Sequence, residues 1–220
     1  YLWLSFTTFL DMFFRISGSG IVNPISAALT DPYRAIGIGY TIFLLGSINK
    51  VYLFRKDIFQ EKKNIKYLKL MVPVSVAGAL LGGLFLTSLN MTVMMWLIIL
   101  SSVYFIYKTV KSLIENKVEA MSEKMHLGVV AVALFTGFLQ GASLPGGDMR
   151  GNFLRSHISE VSVRAVSSVI GLFNFLVVSV VLLFSNKLLK SDLLFIVAFV
   201  PAMILFQFIA KQVLVKLNDT

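Results

Sequence analysis

The chain has 220 residues, of which 57% are hydrophobic and only 14% charged, and its mean hydropathy of +0.83 excludes an ordinary water-soluble domain. Lys and Arg number 20 against 11 Asp and Glu, a formal net charge of +9, yet they sit mostly between apolar runs and form no basic module, so no nucleic-acid partner is expected. With no Cys, disulfides and thiolate metal sites are excluded.

The chain opens Tyr1-Leu2-Trp3-Leu4, without Met and already apolar, and reads as trimmed at its start, with no cleavable signal peptide. A first apolar segment covers 1–14, with Asp11 and Arg15 spaced i, i+4 so that each neutralises the other on one helix face. A polar break from Ile16 to Gly20 follows, then a short apolar piece at 21–30 and full spans at 35–54, 68–87 and 91–108. Leu70 to Tyr107 carries no charge and, at about 1.5 Å per residue, is nearly twice too long for one crossing of about 30 Å, so it must turn at Ser88-Leu89-Asn90. A charged stretch over 108–125, with Lys108, Lys111, Glu115, Lys117, Glu119, Glu123 and Lys124, marks the midpoint. Beyond it stand a span at 127–143, a break at 144–150, a short piece at 151–158 and spans at 163–185 and 193–214. None of these runs shows a polar face of period two, so they are expected to be helices rather than strands of a barrel.

The halves resemble each other. A displacement of 128 places Thr8 on Thr136, Gly18 on Gly146, Val72-Pro73 on Val200-Pro201 and Asn90 on Asn218, and one of 130 places Arg34-Ala35 on Arg164-Ala165. The expected fold is an all-α, polytopic transmembrane helical bundle of two repeats, each with a broken first helix. The first repeat is 1–110, the charged connection 111–125, and the second repeat 126–220, which lacks its last helix because Asn218 falls at the end of the sequence. Arg55 to Lys69 holds six Lys or Arg and the midpoint loop four; two crossings separate them, so both are expected on the cytoplasmic face of a multi-pass cell-membrane protein. Parallel and inverted repeats both remain open.

Chemistry concentrates at the breaks. Glycines and Pro inside a membrane segment interrupt the helix and free N–H groups that hydrocarbon cannot satisfy. Half-helix N-termini of this kind present their positive ends to anions. The first break supplies Ser17, Gly18, Ser19, Gly20 and Asn23-Pro24; the second supplies Pro145, Gly146, Gly147, Asp148, Arg150 and Asn152. Arg34 and Arg164 stand at equivalent starts of long spans, where a guanidinium either clamps an oxyanion with paired donors or snorkels to headgroups. Asn49, Lys50, Asn174 and Gln207 are polar groups within spans, suited to substrate contact or to interhelical hydrogen bonds. Gly78 and Gly82 form a small-xxx-small pair that predicts close helix packing.

This duplicated order, a Gly-rich break followed by Arg-Ala leading into a long helix, resembles the TauE/SafE, or sulfite-exporter-like, permeases over nearly the whole chain, including Gly78-Ala79-Leu80-Leu81-Gly82-Gly83. Asp148 and Arg150 depart from the small or apolar residues common in that family. The resemblance implies export or uptake of small anions such as sulfite or organosulfonates, with export the expected direction. The partners are then the lipid bilayer, the anion and a proton as possible coupling ion, with no cofactor and no metal.

An intramembrane enzyme is the rival class. Ser17-Gly18-Ser19-Gly20 superficially resembles a rhomboid-type Gly-x-Ser-Gly motif, but its first position is Ser, and a serine nucleophile needs a base within hydrogen-bond reach. The two histidines, His126 and His157, lie outside the later spans, and no His-Glu-x-x-His pattern offers a metal site. A membrane scaffold is the third class; its helices would break for packing alone, whereas two glycine-rich breaks in corresponding places favour transport.

Overall fold

The computed structural model describes residues 31–97, 99–100, 103–104, 107, 126–144, 147–188, 196–197, 201, 204–205 and 208–209. In chain order the helices are α1 (Pro32–Leu53), α2 (Arg55–Gln60), α3 (Lys62–Ser88), α4 (His126–Gly141), α5 (Gly147–Arg155) and α6 (Glu160–Phe184). The described residues contain no strand. The expected all-α membrane bundle is what the chain forms, and α1, α3 and α6 are each long and apolar enough to cross a bilayer. The break at Ser17 to Asn23, with Asp11 and Arg15, lies outside the described residues, as do Gln207 and Asn218.

Local chemistry sets the helix ends. Asp31 caps α1 by accepting the Arg34 N–H at 3.0 Å, and Pro32 at the first helical position needs no acceptor for its nitrogen. Ser159 caps α6 through the Ser162 N–H at 3.4 Å, with Glu160 in the first turn favoured by the helix dipole. At the other end of α6, Asn186 takes a left-handed conformation (φ 55°), its N–H reaching Leu183 O at 3.1 Å while that of Lys187 reaches Leu182 O at 2.9 Å. These two bonds make a Schellman cap, with Asn in the place usually given to Gly.

The tightest packing joins α3 to α4. A Cβ on Gly78 would stand 2.2 Å from Leu134 O and one on Gly82 2.2 Å from Phe138 O; reciprocally, Gly137 would meet Ser75 O at 2.1 Å and Gly141 would meet Ala79 O at 2.3 Å. The two helices therefore touch backbone to backbone and run parallel, with the close approach expected of Gly78 and Gly82 answered by Gly137 and Gly141. Helix α6 also runs parallel to α3: Asn64 Nδ2 donates to Ser162 Oγ at 3.0 Å near their starts, Asn174 Nδ2 to Ser75 Oγ at 2.8 Å further along, and Gly83 faces Val181 beyond that. Helix α1 runs the opposite way. Its start meets the end of α6, where Gly37 faces Leu188 and Lys187 Nζ lies 4.1 Å over the Tyr33 ring, while Phe43 stacks on Phe175 and Ser47 lies opposite Gly171.

Helices α4 and α5 form a hairpin. From Gly141 the chain turns, and α5 comes back along α4, burying Phe153 and Leu154 with Val129, Val132, Met71, Val166 and Ile170. Since α4 and α6 both begin beside the start of α3, this hairpin enters and leaves at the same end of the bundle. A second apolar core, with Tyr33, Ile36, Phe43, Leu86, Met94, Val178 and Leu182, fills the opposite end. Between the two cores lies a polar layer.

Among the described residues α1, α3 and α6 fall on the spans expected at 35–54, 68–87 and 163–185, whereas the span expected at 127–143 is the shorter helix α4, one arm of the hairpin. The second break was expected over 144–150 with a short piece at 151–158; the chain instead turns at 142–144, and Gly147 already opens α5. A Gly-rich run reads as a helix breaker, but an N-terminal helical position tolerates Gly well, because its N–H would lack an intrahelical partner in any case.

Candidate functional site at the hairpin tip

Helix α4 is ended by a second Schellman cap. Leu144 N–H reaches Leu139 O at 2.8 Å, Ser143 N–H reaches Gln140 O at 3.2 Å, and Ser143 is left-handed (φ 64°) although buried. A side chain held at positive φ is a strained position and recurs at functional turns. Tyr40, projecting from α1, donates its hydroxyl to Gln140 O and is also hydrogen-bonded to Ser143, so α1 clamps the tip. The carbonyls of Phe138, Leu139 and Gln140 at the end of α4 thus find partners. Helix α5 starts beside it with its positive end at the same tip, and the space next to Gly147 is open: a Cβ there would meet nothing within 4 Å.

One turn into α5, Arg150 is only 6% exposed, and its Nη1 donates to Gln140 Oε1 at 3.2 Å. The same Oε1 accepts from Asn174 Nδ2 at 3.0 Å, and that amide also donates to Ser75 Oγ at 2.8 Å. Four elements thus converge on one cluster: Ser75 from α3, Gln140 from α4, Arg150 from α5 and Asn174 from α6. Along α3, Ser75 lies about 10 Å from Lys69, the last charged residue, and about 20 Å from Ser88. The cluster is therefore within the apolar span. An arginine at such depth costs about 2.5–3.5 kcal/mol even on insertion-derived scales and marks functional positions by default.

The structure separates the other expected residues from this cluster. Arg34 is exposed in the first turn of α1, at the end of the bundle where Tyr33 donates to Leu89 O. Arg164 lies near the start of α6, its Nε 3.9 Å from Glu160 Oε1, while Glu160 Oε2 also takes Arg155 Nε at 3.2 Å. The two arginines stand at opposite ends, about 30 Å apart along α6. Asn152 accepts from Arg155 Nη1 at 2.6 Å, on the same margin. Gly147 and Arg150 belong to the tip, whereas Ser17, Gly18, Ser19, Gly20, Asn23 and Gly146 lie outside the described residues, as does the Asp148 side chain. His157 stacks on Phe153 at 4.7 Å with Nδ1 2.9 Å from Phe153 O, away from the cluster. Lys50 stands in the last turn of α1, half-buried like Asn49.

Sequence reasoning left out Gln140, Ser75 and Tyr40. Gln140 carried a usable signal, being the one amide in the charge-free run Leu127 to Gly147, immediately before the break. Ser75 and Tyr40 carried none, since a lone Ser or Tyr in a span is ordinary.

The described helices thus form a polytopic α-helical membrane bundle in which a hairpin sets a buried arginine at its tip, between two apolar cores. The family model for the sulfite exporter TauE/SafE matches residues 2–220, and the chain belongs to that family of anion-exporter-type membrane transporters. Neither the curated proteins nor the solved structures give a match.

Proposed function

We propose that this protein exports a small anion, sulfite or an organosulfonate, across the cell membrane, and that the anion binds at the tip of the α4–α5 hairpin. The observation that carries this reading is the buried Arg150 in the polar layer between two apolar cores. An oxyanion leaving water must recover its lost solvation, and a guanidinium with the N-terminal N–H groups of α5 supplies donors where the local dielectric is low. Arg34 and Arg164, at opposite ends, serve as the mouths of the pathway, drawing anions in from either side. The two breaks are read as equivalent halves of the site, with Ser17, Gly18, Ser19, Gly20 and Asn23 matching the second break.

Inverted repeats suit this reading. Helices α1 and α6, paired by Arg34-Ala35 and Arg164-Ala165, run antiparallel and pack on each other, as an inverted duplication requires. Export against a gradient calls for coupling, for which a proton is the candidate.

Uptake into proteoliposomes tests the reading. Labelled sulfite and short sulfonates should accumulate under an imposed proton gradient, and transport by Arg150→Gln should fall by more than about tenfold with the protein still folded. Undiminished transport by that variant would remove the hairpin tip from the pathway.

A further inference from the structure

The hydrogen-bond directions at the tip leave the Asn174 side-chain oxygen over. Arg150 can only donate, so the oxygen of Gln140 must face it. That oxygen accepts again from Asn174, which therefore presents its nitrogen to Gln140. The second hydrogen of the same nitrogen goes to Ser75 Oγ. The orientation of the Asn174 amide is fixed by this chain, because turning it over would set two acceptors, Asn174 Oδ1 and Gln140 Oε1, against each other. Asn174 Oδ1 is what remains: among the described residues it is an acceptor without a hydrogen-bond partner, in a residue that is 0% exposed. Such a group is costly in a buried site, and native proteins rarely leave one unsatisfied without a functional reason.

We infer that Asn174 Oδ1 accepts a hydrogen bond from the transported anion itself, so that the site selects a small sulfonate carrying its own donor, a hydroxyl or ammonium group, over one that is acceptor-only. The inference rests on the hairpin tip being the anion site. Arg150 and the start of α5 take the negative end, and Asn174 takes the donor at the other. A fully deprotonated oxyanion has no hydrogen to offer and would set its oxygens against Oδ1, so sulfite fits this site as hydrogensulfite, which keeps a hydrogen, rather than as the dianion. A site built to hydrogen-bond a substrate hydroxyl also rejects the analogue lacking it, because the polar group of the protein is then buried unpaired.

Isosteric ligands provide the test. Calorimetric titration of the purified protein with 2-hydroxyethanesulfonate, 2-aminoethanesulfonate and propane-1-sulfonate compares sulfonates of one length with and without a donor. At least one donor-bearing ligand should bind about tenfold or more tightly than propane-1-sulfonate. In Asn174→Leu, which keeps the shape but removes the acceptor together with the N–H donors to Gln140 and Ser75, that gap should close to about twofold. Propane-1-sulfonate binding to the wild-type protein as tightly as both others would overturn the role of Asn174 while leaving the anion site standing. Absence of binding by all three would overturn the anion site and this inference with it. The wild-type comparison decides the matter even where Asn174→Leu does not fold.

Discussion

Arg150 and Arg164 carry the same guanidinium in different surroundings, and the surroundings decide what each can do. Arg164 is half-buried beside Glu160, where solvent and neighbouring charges share its field, so Arg164→Gln should change transport by no more than about threefold. Arg150 is buried and fixed by Gln140, and Lys can keep its charge but not its planar fork. Arg150→Lys should therefore lower transport about tenfold or more in proteoliposomes, and a variant that keeps wild-type rates would show that charge alone suffices. Tyr40 is the other single residue on which the tip depends. Removing its hydroxyl leaves Gln140 O with the Ser143 N–H alone, and Tyr40→Phe should cost about 1 kcal/mol, read as a lowered unfolding midpoint of the purified protein.

At the scale of elements, α3 and α4 meet through four glycines whose Cβ positions would fall within 2.3 Å of a backbone carbonyl oxygen of the partner helix. A backbone cannot rotate aside as a flexible side chain can. Gly78→Ala or Gly137→Ala must push the helices apart, at about 1–3 kcal/mol each, and shift the hairpin relative to α3. Gly83→Ala is the control, because its nearest neighbours are Val181 side-chain carbons at 3.5 Å or more, an ordinary contact. Thermal unfolding in detergent should rank Gly83→Ala well above the other two. Of these features the pair Gly78 and Gly82 was legible in the sequence, since small-xxx-small within an apolar run has few other uses. The spans were legible too, because the absence of charge over Leu70 to Tyr107 or Ala165 to Asn186 admits little but membrane. The hairpin was not: Leu127 to Gly147 is apolar over a near-spanning length, and hydropathy reports depth without direction. What turns the chain back is the cap at Ser143 with the Tyr40 clamp, tertiary facts that no local pattern announces. The convergence of Ser75, Gln140, Arg150 and Asn174 was hidden for the same reason, as the four residues come from four separate helices.

For the whole molecule, the decisive question is on which side of the bilayer each helix starts and ends. Helices α3, α4 and α6 begin together, α1 begins at the other end, and the α4–α5 hairpin returns to the end it left. The chain has no Cys, so single cysteines can be placed without first removing any. Lys62 at the start of α3, Ser156 after α5, Asn90 after α3 and Asn186 after α6 are all exposed. With a hairpin that does not cross, Lys62→Cys and Ser156→Cys should react with a membrane-impermeant maleimide from one side of sealed vesicles, and Asn90→Cys and Asn186→Cys from the other. By the positive-inside rule, the basic stretch Arg55 to Lys69 leads us to expect the first pair on the cytoplasmic side. A hairpin that crossed would exchange the sides of Ser156 and Asn186 while leaving Lys62 and Asn90 in place. The arrangement also separates the two arginines: Arg34 lies at the end of Asn90 and Asn186, Arg164 at the end of Lys62 and Ser156. Labelling of Ser156→Cys together with Asn90→Cys would show that α4–α5 spans the membrane, and the polar layer at its tip would then no longer be the point where access from the two sides meets.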